Sequence, residues 1–571
     1  MASQNQNSIR ALEIKFKDIL VISGIFFIAL IFRTFLMHHR FAVVFDEVNY
    51  LKLGVSGALN GFSNILHPYW SPLYPFAVMI SSKFIPNYEI AGRLVSIFSG
   101  SFLAVVLFFF SGKLFGKKIG YIAASLLAVY PVLAFSDTAI RPEPLYTLLI
   151  VLGMFAGWEA LMRCSWIYSS LTGLLFGLCY LAKPEGIGFF IVFTIIALVV
   201  TIVNIVKYSK YKHLFLIFAL IFGFLIVSSP YLIYLKKSTG EWTISIKGKA
   251  NQLGEAILFQ KLDQTGSSIY SRLSDDNTSV LIDKIYHLGN FVGYNQKQEG
   301  QVVNVSFKVV LKKYLTNFYR VLKYTIPQVL SSILFALMVI GLFSEAWDKK
   351  RLLFNSYLLS FILFFWLVVI PFFHINERYF RPLIPICFIW IATGVQFISV
   401  WFFKTVNDSF KVFTDRLSQR LAFILVATFI GIFVIVPELG KILKRQYWSE
   451  GEWADPVEQK EAGLWLRDHF NGIPVIMSKF HTADIYAGNY NIKDSVTIPQ
   501  CKFDRLIKYA EYRSVDFLLL NERYKEFFPE ISFLLEGKNI PEELELIYDR
   551  TDPLGLRTVI YRILNEDVTG R

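Results

Sequence analysis

The sequence predicts a polytopic α-helical membrane protein with about eleven transmembrane helices, followed by a C-terminal α/β domain. Three observations support this fold class. Of the 571 residues, 54% are hydrophobic and only 18% are charged, whereas ordinary soluble domains carry about 25% charged residues. Eleven apolar runs approach the ~20 residues that a helix needs to cross a bilayer. Beyond residue 438 the composition becomes more polar and shows short strand and helix patterns.

The apolar runs define the predicted spans in chain order. They lie near residues 19–37, 94–111, 119–135, 145–161, 167–182, 187–206, 214–235, 321–343, 352–373, 382–403 and 421–437. A shorter apolar run at 72–86 contains prolines and a lysine. Because these residues interrupt an apolar helix, we predict an interfacial or re-entrant helix there.

The distribution of basic residues predicts the orientation. With the N-terminus inside, the inner segments carry 17 Lys and Arg and the short outer loops carry eight, as the cytoplasmic enrichment of basic residues requires. The same enrichment explains the net charge of +13, so nucleic acid is not a predicted partner. An odd number of spans puts the C-terminus outside. The predicted domains are a transmembrane domain at 1–437, with outer loops 38–93 and 236–320, and a soluble extracytoplasmic domain at 438–571.

The C-terminal segment is predicted to alternate strands and helices. Buried strands are expected at 474–478 and 516–520, helices at 461–470 and 505–512, and a closing hairpin from ELELIYDR and LRTVIYRIL. The chain carries neither a GxGxxG motif nor a P-loop, so no nucleotide is predicted. Its four cysteines form no CxxC pair, and no disulfide framework is predicted.

The first outer loop carries adjacent acids at the membrane surface. FDEVNY supplies Asp46, Glu47 and Tyr50, about nine residues beyond the first span. At membrane depth an acidic side chain costs free energy unless it is paired, hydrated or functional. One carboxylate could act as a general base toward an acceptor hydroxyl, and a hydrated acid capping the next helix is an equal alternative.

The motif HPYWSPLYP follows. Its aromatic residues suit a membrane interface, but an interfacial role does not explain His67.

The remaining short outer loops combine acids with bases. These loops contain Arg141 and Glu143, then Lys183, and finally Arg378, Tyr379 and Arg381. A departing phosphate at this depth needs cationic donors, and the arginine fork can hold two phosphate oxygens. Contact with lipid headgroups is the simpler interpretation of any single cation. The set as a whole, together with Asp46, favours a binding site.

Six motifs in this order resemble the GT-C superfamily of polyprenyl-phosphate-dependent glycosyltransferases. The resemblance is strongest to protein O-mannosyltransferases and lipid A aminoarabinose transferases, and it covers roughly residues 15–400. The motifs are FDEVNY, HPYWSPLYP, RLVSIFSGSFLAVVLFFFSGKLFG, RPEPLYTLL, GLCYLAKPEG and ERYFRPLIP. Two of them depart from the family pattern. HPYWSPLYP has an insertion before its second proline, and Pro184 and Glu185 stand where Gly-Pro is usual.

The resemblance implies roles for these residues. Asp46 would be the general base, with Glu143 as the second acid and Glu47 as a helper. Lys183, Arg378, Arg141, Arg381 and His67 would face the donor phosphate, and Tyr50 and Tyr379 would contact substrate. No cofactor is required, although some relatives hold a divalent metal near the acids; Asp46, Glu143 and His67 are the residues that would hold one here.

The resemblance also implies the partners and the location. The predicted activity is inverting sugar transfer from a polyprenyl-phosphate donor to a lipid, glycan or protein acceptor. The predicted location is the bacterial cytoplasmic membrane, facing outward among membrane lipids. The loop 236–320 is expected to shape the acceptor cleft. Two other classes remain open, namely a transporter or flippase of lipid-linked sugars and a non-catalytic scaffold. A transporter would favour internal repeats, and a scaffold would not need the outer acids.

Overall fold

A computed structural model describes residues 14–208, 211–246, 307–372, 375–410, 415–449, 454–499 and 501–564. The chain forms two compact units. The first, here the helical unit, comprises Met1–Met37, Ser96–Tyr231 and Ser306–Lys444, and the second, here the mixed unit, comprises His38–Val95, Leu232–Val305 and Arg445–Arg571. Most of the predicted outer loop 236–320 lies outside the described residues. The domain boundary at 438 stays a prediction.

The helical unit is built from long apolar helices. Its α-helices, two of which extend into the mixed unit, are Phe16–Met37, Tyr88–Phe115, Lys117–Val129, Pro131–Ser136, Glu143–Arg163, Trp166–Ala182, Gly186–Tyr208, Lys212–Thr239, Phe307–Arg320, Ile326–Leu330, Ser332–Phe343, Lys349–Leu363, Ile384–Phe410, Asp415–Ile430 and Val436–Leu443. Turns of π-helix lie at Val321–Thr325, Phe364–Val369 and Gly431–Ile435. Short 3₁₀ turns lie at Ile370–Phe372, Glu377–Tyr379 and Arg381–Leu383.

Within the described residues, eight helical stretches are long and apolar enough to cross a membrane. They are Phe16–Met37, Tyr88–Phe115, Glu143–Arg163, Gly186–Tyr208, His213–Thr239, Lys349–Phe372, Glu377–Thr405 and Arg420–Leu443. The predicted multi-pass membrane protein is therefore confirmed. The count of eleven spans is not, because the other three predicted spans correspond to shorter or divided helices.

The three exceptions have local causes. The predicted span at 119–135 is divided at Pro131, which begins a new helix because its ring cannot continue the preceding one. The predicted span at 321–343 is divided by a π-helical turn and by Ser331, whose φ of 59° is left-handed. The predicted span at 167–182 is a single helix of 17 residues, Trp166–Ala182.

The N-terminal part of the mixed unit packs two helices together. These helices are Asp46–Asn60 and Leu73–Ser82, joined by the 3₁₀ turn Phe62–Ile65. A Cβ atom at Gly54 would lie 2.4 Å from the Val78 side chain, so glycine allows the close approach. The helix Leu73–Ser82 has ten residues and a length of about 15 Å. It is too short to span a bilayer, in agreement with the prediction for 72–86.

The C-terminal part of the mixed unit is an α/β structure. Its strands are β1 (Ile476–Ser478), β2 (Val496–Thr497), β3 (Phe517–Asn521), β4 (Leu544–Thr551) and β5 (Arg557–Ile563). The sheet order is β2-β1-β3-β5-β4. β1 pairs in parallel with β2 and β3, whereas β5 pairs antiparallel with β3 and β4. The helices are Val457–His469, Thr482–Tyr486 and Phe503–Tyr512, with 3₁₀ turns at Ile492–Asp494, Glu522–Phe527 and Pro529–Glu536.

The apolar run in β3 explains its central place in this sheet. All five residues of β3 are buried. Leu518 and Leu520 pack into a core on one face, and Phe517 and Leu519 pack into the core on the opposite face. A strand covered on both faces has no polar alternation. The predicted strands, helices and hairpin are confirmed, and β2, with two residues, is an addition.

Candidate functional site

The first candidate acids begin the helix Asp46–Asn60 of the mixed unit. Phe45 precedes it with a φ of 48°, a left-handed conformation that turns the chain sharply into the helix. Glu47 is fully buried, with its carboxylate 3.8 Å from Arg93 Nη1. Asp46 is partly exposed. A carboxylate at a helix N-terminus is stabilised by the helix dipole. Asp46 is therefore the better placed of the two acids to meet an acceptor, and Glu47 belongs to a buried ion pair.

Tyr50 lies in an aromatic cluster of the same unit. Its side chain is 3% exposed and makes edge contacts with Trp70 and Tyr74, at centroid distances of 5.0 and 5.4 Å. The hydroxyl of Tyr74 donates to the Gly92 carbonyl at 3.1 Å. The cluster supports the segment that contains His67, and the predicted substrate contact of Tyr50 stays a prediction.

His67 is buried and neutral. Its Nδ1 accepts hydrogen bonds from the backbone N–H groups of Tyr69 and Trp70, at 3.0 and 3.3 Å. Burial lowers the pKa of His67 to about 4, because a charged imidazolium loses hydration there. An accepting Nδ1 leaves the proton on Nε2. His67 can therefore act on a phosphate as a neutral hydrogen-bond donor and not as a cation.

Glu143 and Lys183 form a paired centre in the helical unit. Glu143 is the first residue of the helix Glu143–Arg163, which begins after Pro142. Lys183 follows the helix Trp166–Ala182 in an extended conformation. Lys183 Nζ lies 3.2 Å from Glu143 Oε1, and the two side chains are 9% and 13% exposed. The helix start and the extended residue thus bring an acid and a base from two predicted motifs into contact.

Two tyrosine rings surround the Lys183 ammonium. Lys183 Nζ lies 5.8 Å from the ring centroid of Tyr146 and 5.5 Å from that of Tyr379, within the range of cation–π attraction. Burial lowers the pKa of Lys183, but the opposing attraction of Glu143 and Glu185 gives a net increase. Lys183 therefore remains charged at neutral pH despite its burial.

Two arginines add positive charge around Glu143. Arg378 and Arg141, like Lys183, interact electrostatically with its carboxylate. The Arg378 guanidinium lies 5.2 Å from the Tyr379 ring centroid, and its Nη2 donates to the Tyr379 hydroxyl at 3.4 Å. At least three cations thus act on one largely buried acid, an arrangement suited to an additional anion.

Arg381 interacts electrostatically with Glu143 and Arg141 but has other polar contacts. Its Nη1 donates to Ser136 Oγ at 3.1 Å, and its Nη2 lies 4.0 Å from Glu377 Oε2. Its side chain is 28% exposed. Its predicted role at the phosphate stays a prediction.

The predicted site residues therefore belong to two groups. The mixed unit contains Asp46, Glu47, Tyr50 and His67, and the helical unit contains Arg141, Glu143, Lys183, Arg378, Tyr379 and Arg381. Among the described residues, no three His, Cys, Asp or Glu side chains are grouped to hold a metal ion. Metal binding by Asp46, Glu143 and His67 accordingly remains an implication of the resemblance alone.

Sequence reasoning missed a buried ion pair in the mixed unit. Lys52 Nζ lies 2.6 Å from Asp484 Oδ2, and both side chains are fully buried. Burial raises the pKa of Asp484 to about 6, against the lowering effect of Lys52. The two residues are 432 positions apart, and no local motif signals such a contact. The loop that contains Asp46 is therefore bonded to the C-terminal part of the mixed unit.

Comparison with known families gives a partial match. Residues 67–234 match the family described as Dolichyl-phosphate-mannose-protein mannosyltransferase. This stretch includes His67, Arg141, Glu143 and Lys183. Comparison with curated proteins gives no match.

Solved structures share the fold at low sequence identity. ArnT from Cupriavidus metallidurans bound to undecaprenyl phosphate is 11% identical, with a TM-score of 0.54 over 97% of this chain and 99% of that chain. The Archaeoglobus fulgidus oligosaccharyltransferase in complex with Zn and sulfate is 13% identical, with a TM-score of 0.50 over 94% of this chain and 72% of that one. The predicted resemblance is thus confirmed as a family match over residues 67–234 and as a fold shared with these two structures.

Proposed function

We propose that this protein is a glycosyltransferase that moves a sugar from a polyprenyl-phosphate donor to an acceptor hydroxyl at the outer face of a bacterial cytoplasmic membrane. The observation that carries the proposal is the cluster of Lys183, Arg378 and Arg141 around Glu143 in the helical unit. The chain also has the fold of a solved ArnT that is bound to undecaprenyl phosphate. A partly buried cationic centre in an apolar helical unit suits a lipid phosphate.

The cationic cluster would stabilise the leaving group. As the bond between the anomeric carbon and the phosphate oxygen breaks, that oxygen keeps the electron pair and gains negative charge. Lys183 and Arg378 would bind it, because cations fixed in a dry site stabilise charge that develops in the transition state. Glu143 and the tyrosine rings would hold Lys183 in place before donor binds.

Asp46 would be the general base. The acceptor oxygen attacks the anomeric carbon on the face opposite the phosphate, and its proton passes to the Asp46 carboxylate. One bond forms and one breaks, so the sugar inverts its configuration and free polyprenyl phosphate is released. Asp46 suits this role because it is partly exposed at a helix N-terminus, whereas Glu47 is buried beside Arg93.

The acceptor class follows from the same resemblance. A lipid, a glycan and a protein hydroxyl all present an oxygen that can lose a proton during attack.

His67 would donate a neutral hydrogen bond from Nε2 to the donor phosphate. The N-terminus would be cytoplasmic, and the C-terminal part of the mixed unit would face the periplasm.

The test is turnover of the donor by the purified protein. Wild type in lipid nanodiscs would be mixed with a set of polyprenyl-phosphate sugars and with membranes of the parent organism, and free polyprenyl phosphate would be quantified. Asp46→Asn removes the base and keeps the size of the side chain, and we expect a loss of at least about 100-fold. Asp468→Asn, at an exposed carboxylate paired with Arg467, is the matched control and should keep wild-type turnover.

The possible outcomes of this assay distinguish the proposed transferase from its alternatives. Release of polyprenyl phosphate by wild type and Asp468→Asn, but not by Asp46→Asn, supports the proposal, and the labelled product identifies the acceptor. Turnover that persists in Asp46→Asn would remove Asp46 from the role of base. Absence of turnover together with movement of the lipid-linked sugar across the bilayer would favour a flippase.

A further inference from the structure

The short helix Thr482–Tyr486 contacts the segment that leads into Asp46, and both belong to the mixed unit. Thr482 Oγ1 donates to the Val43 carbonyl at 2.9 Å. The Tyr486 hydroxyl accepts from the Val43 N–H at 3.1 Å. Both backbone polar groups of a residue three positions before Asp46 are thus bonded by side chains from one helix.

Phe41 is held in the same way. Its N–H donates to Asp455 Oδ2 at 3.0 Å, and its carbonyl accepts from Lys460 Nζ at 2.7 Å. Buried backbone groups need such partners. At Phe41 and Val43, the backbone groups form hydrogen bonds with side chains more than 400 positions later in the chain, and not with a neighbouring strand.

The helix that begins at Asp46 is bonded to the same short helix. Lys52 donates to Asp484 Oδ2 at 2.6 Å and to Ser495 Oγ at 2.7 Å. The Tyr486 hydroxyl also donates to Glu89 Oε2 at 2.9 Å. Asp46 therefore lies between two chain segments that one five-residue helix fixes from both sides.

The backbone at this point requires such support. Phe45 has a φ of 48°, and a bulky side chain is strained in the left-handed region. Such a conformation persists only where its surroundings determine it. The bonds to Val43 on one side and to Lys52 on the other fix this backbone conformation. The direction of the Asp46 carboxylate depends on that conformation.

We infer that Thr482 and Tyr486 are positioning residues for Asp46, so that the C-terminal part of the chain sets the geometry of proton removal from the acceptor. The inference rests on the proposed function. A shift of about 1 Å at a reacting group can cost on the order of 100-fold in rate. In the proposed mechanism Lys183 and Arg378 bind the donor phosphate and Asp46 does not, so the effect is expected in kcat and not in the KM for donor.

Variants of the same residue separate positioning from simple stability. Thr482→Val removes the hydroxyl at nearly constant volume, whereas Thr482→Ser keeps it. Tyr486→Phe removes the other hydroxyl. The matched control is Tyr561→Phe, which removes a buried hydroxyl bonded to the Leu534 carbonyl at 2.5 Å in the same C-terminal segment. Each variant would be compared with wild type for kcat, for the KM of the polyprenyl-phosphate sugar and for thermal unfolding.

We expect Thr482→Val and Tyr486→Phe to lower kcat by about 10- to 100-fold with the donor KM within about two-fold of wild type. Thr482→Ser should recover kcat to within about three-fold, and Tyr561→Phe should keep it. Equal losses in Thr482→Ser and Thr482→Val, or an equal loss in Tyr561→Phe, would overturn the inference. A wild-type kcat in Thr482→Val would also overturn the inference, but it would not contradict the proposed function. No donor turnover by wild type would instead refute the proposed function.

Discussion

At the scale of single residues, neighbouring positions have very different surroundings. Asp46 and Glu47 are adjacent acids, but Glu47 is fully buried beside Arg93 and Asp46 is partly exposed. A group that accepts a proton from a substrate must reach it, and a buried paired carboxylate serves the fold instead. Under the proposed function, Asp46 would take part in the reaction and Glu47 would stabilise the fold.

The Lys183–Glu143 pair gives a prediction about the donor. Lys183→Met should lower kcat/KM for the lipid donor by about 100- to 1000-fold, as expected for loss of one charged group that stabilises a leaving oxygen. The measurement is release of free polyprenyl phosphate at several donor concentrations.

A matched pair lies at the other end of the helix Glu143–Arg163. Lys113 Nζ is 3.4 Å from Glu159 Oε1, with side-chain exposures of 8% and 7%. Lys113→Met therefore removes an equally buried cation away from the cluster and should keep kcat/KM. Equal losses in both variants would indicate destabilisation in place of a role at the phosphate.

His67 gives a prediction about pH. Its pKa is lowered to about 4 in the folded protein and is about 6.5 when the chain is unfolded. The unfolded chain thus binds a proton first as the pH falls, so stability that is complete above pH 6.5 decreases down to pH 4, by up to about 3 kcal/mol. Thermal unfolding of the purified protein across this range measures the loss.

His67→Asn isolates this contribution. The amide oxygen can accept the backbone N–H groups of Tyr69 and Trp70 in place of Nδ1, but it does not titrate. We expect a shallower loss of stability between pH 6.5 and 4 in this variant. His469→Asn, at an exposed histidine, should retain the wild-type slope. Identical slopes in His67→Asn and wild type would contradict a buried neutral imidazole.

At the scale of elements, close helix packing in the helical unit depends on glycine. A Cβ atom at Gly341 would lie 1.8 Å from the Trp390 carbonyl oxygen, and one at Gly394 would lie 2.1 Å from the Leu337 carbonyl oxygen. The helices Ser332–Phe343 and Ile384–Phe410 therefore approach with their backbones in contact, as small residues allow in membrane proteins.

Gly341→Ala should separate these two helices. The added methyl group meets backbone atoms that cannot rotate away, and we expect a loss of about 1–3 kcal/mol, measured as a lower unfolding temperature in detergent. Gly24→Ala is the control, because a Cβ there has no atom within 4 Å. An unchanged unfolding temperature in Gly341→Ala would show that the helices can adjust.

The elements that the sequence predicts correctly are those that local patterns define. The strand at 516–520 and the helix at 461–470 follow from short periodic runs. The divided span at 321–343 was not predicted, because its left-handed Ser331 leaves no mark in hydropathy. For the candidate site, motifs indicated Glu143 and Lys183, but not their contact, and the Lys52–Asp484 pair joins residues too distant for any pattern to connect.

At the scale of the whole molecule, the distribution of charge predicts the orientation in the membrane. Inner segments should be cytoplasmic because they hold most of the Lys and Arg. Alkaline phosphatase, which is active only outside the cytoplasm, can report this when fused after chosen residues. Fusions after Glu185 and at the C-terminus should be active, and a fusion after Cys164 should be inactive. The reverse pattern would overturn the proposed orientation and, with it, an outward-facing site.

The bonds from Thr482, Asp484 and Tyr486 to the segment around Asp46 also bear on the order of events during synthesis. A chain is made from its N-terminus, and domains fold as they emerge. The loop with Asp46 is produced before its partners, which are more than 400 residues later in the chain. A nascent chain would thus insert its first spans before Asp46 is held in position, and under the proposed function it would become active only once the helix Thr482–Tyr486 has been made. An incompletely made copy would be inert in the membrane.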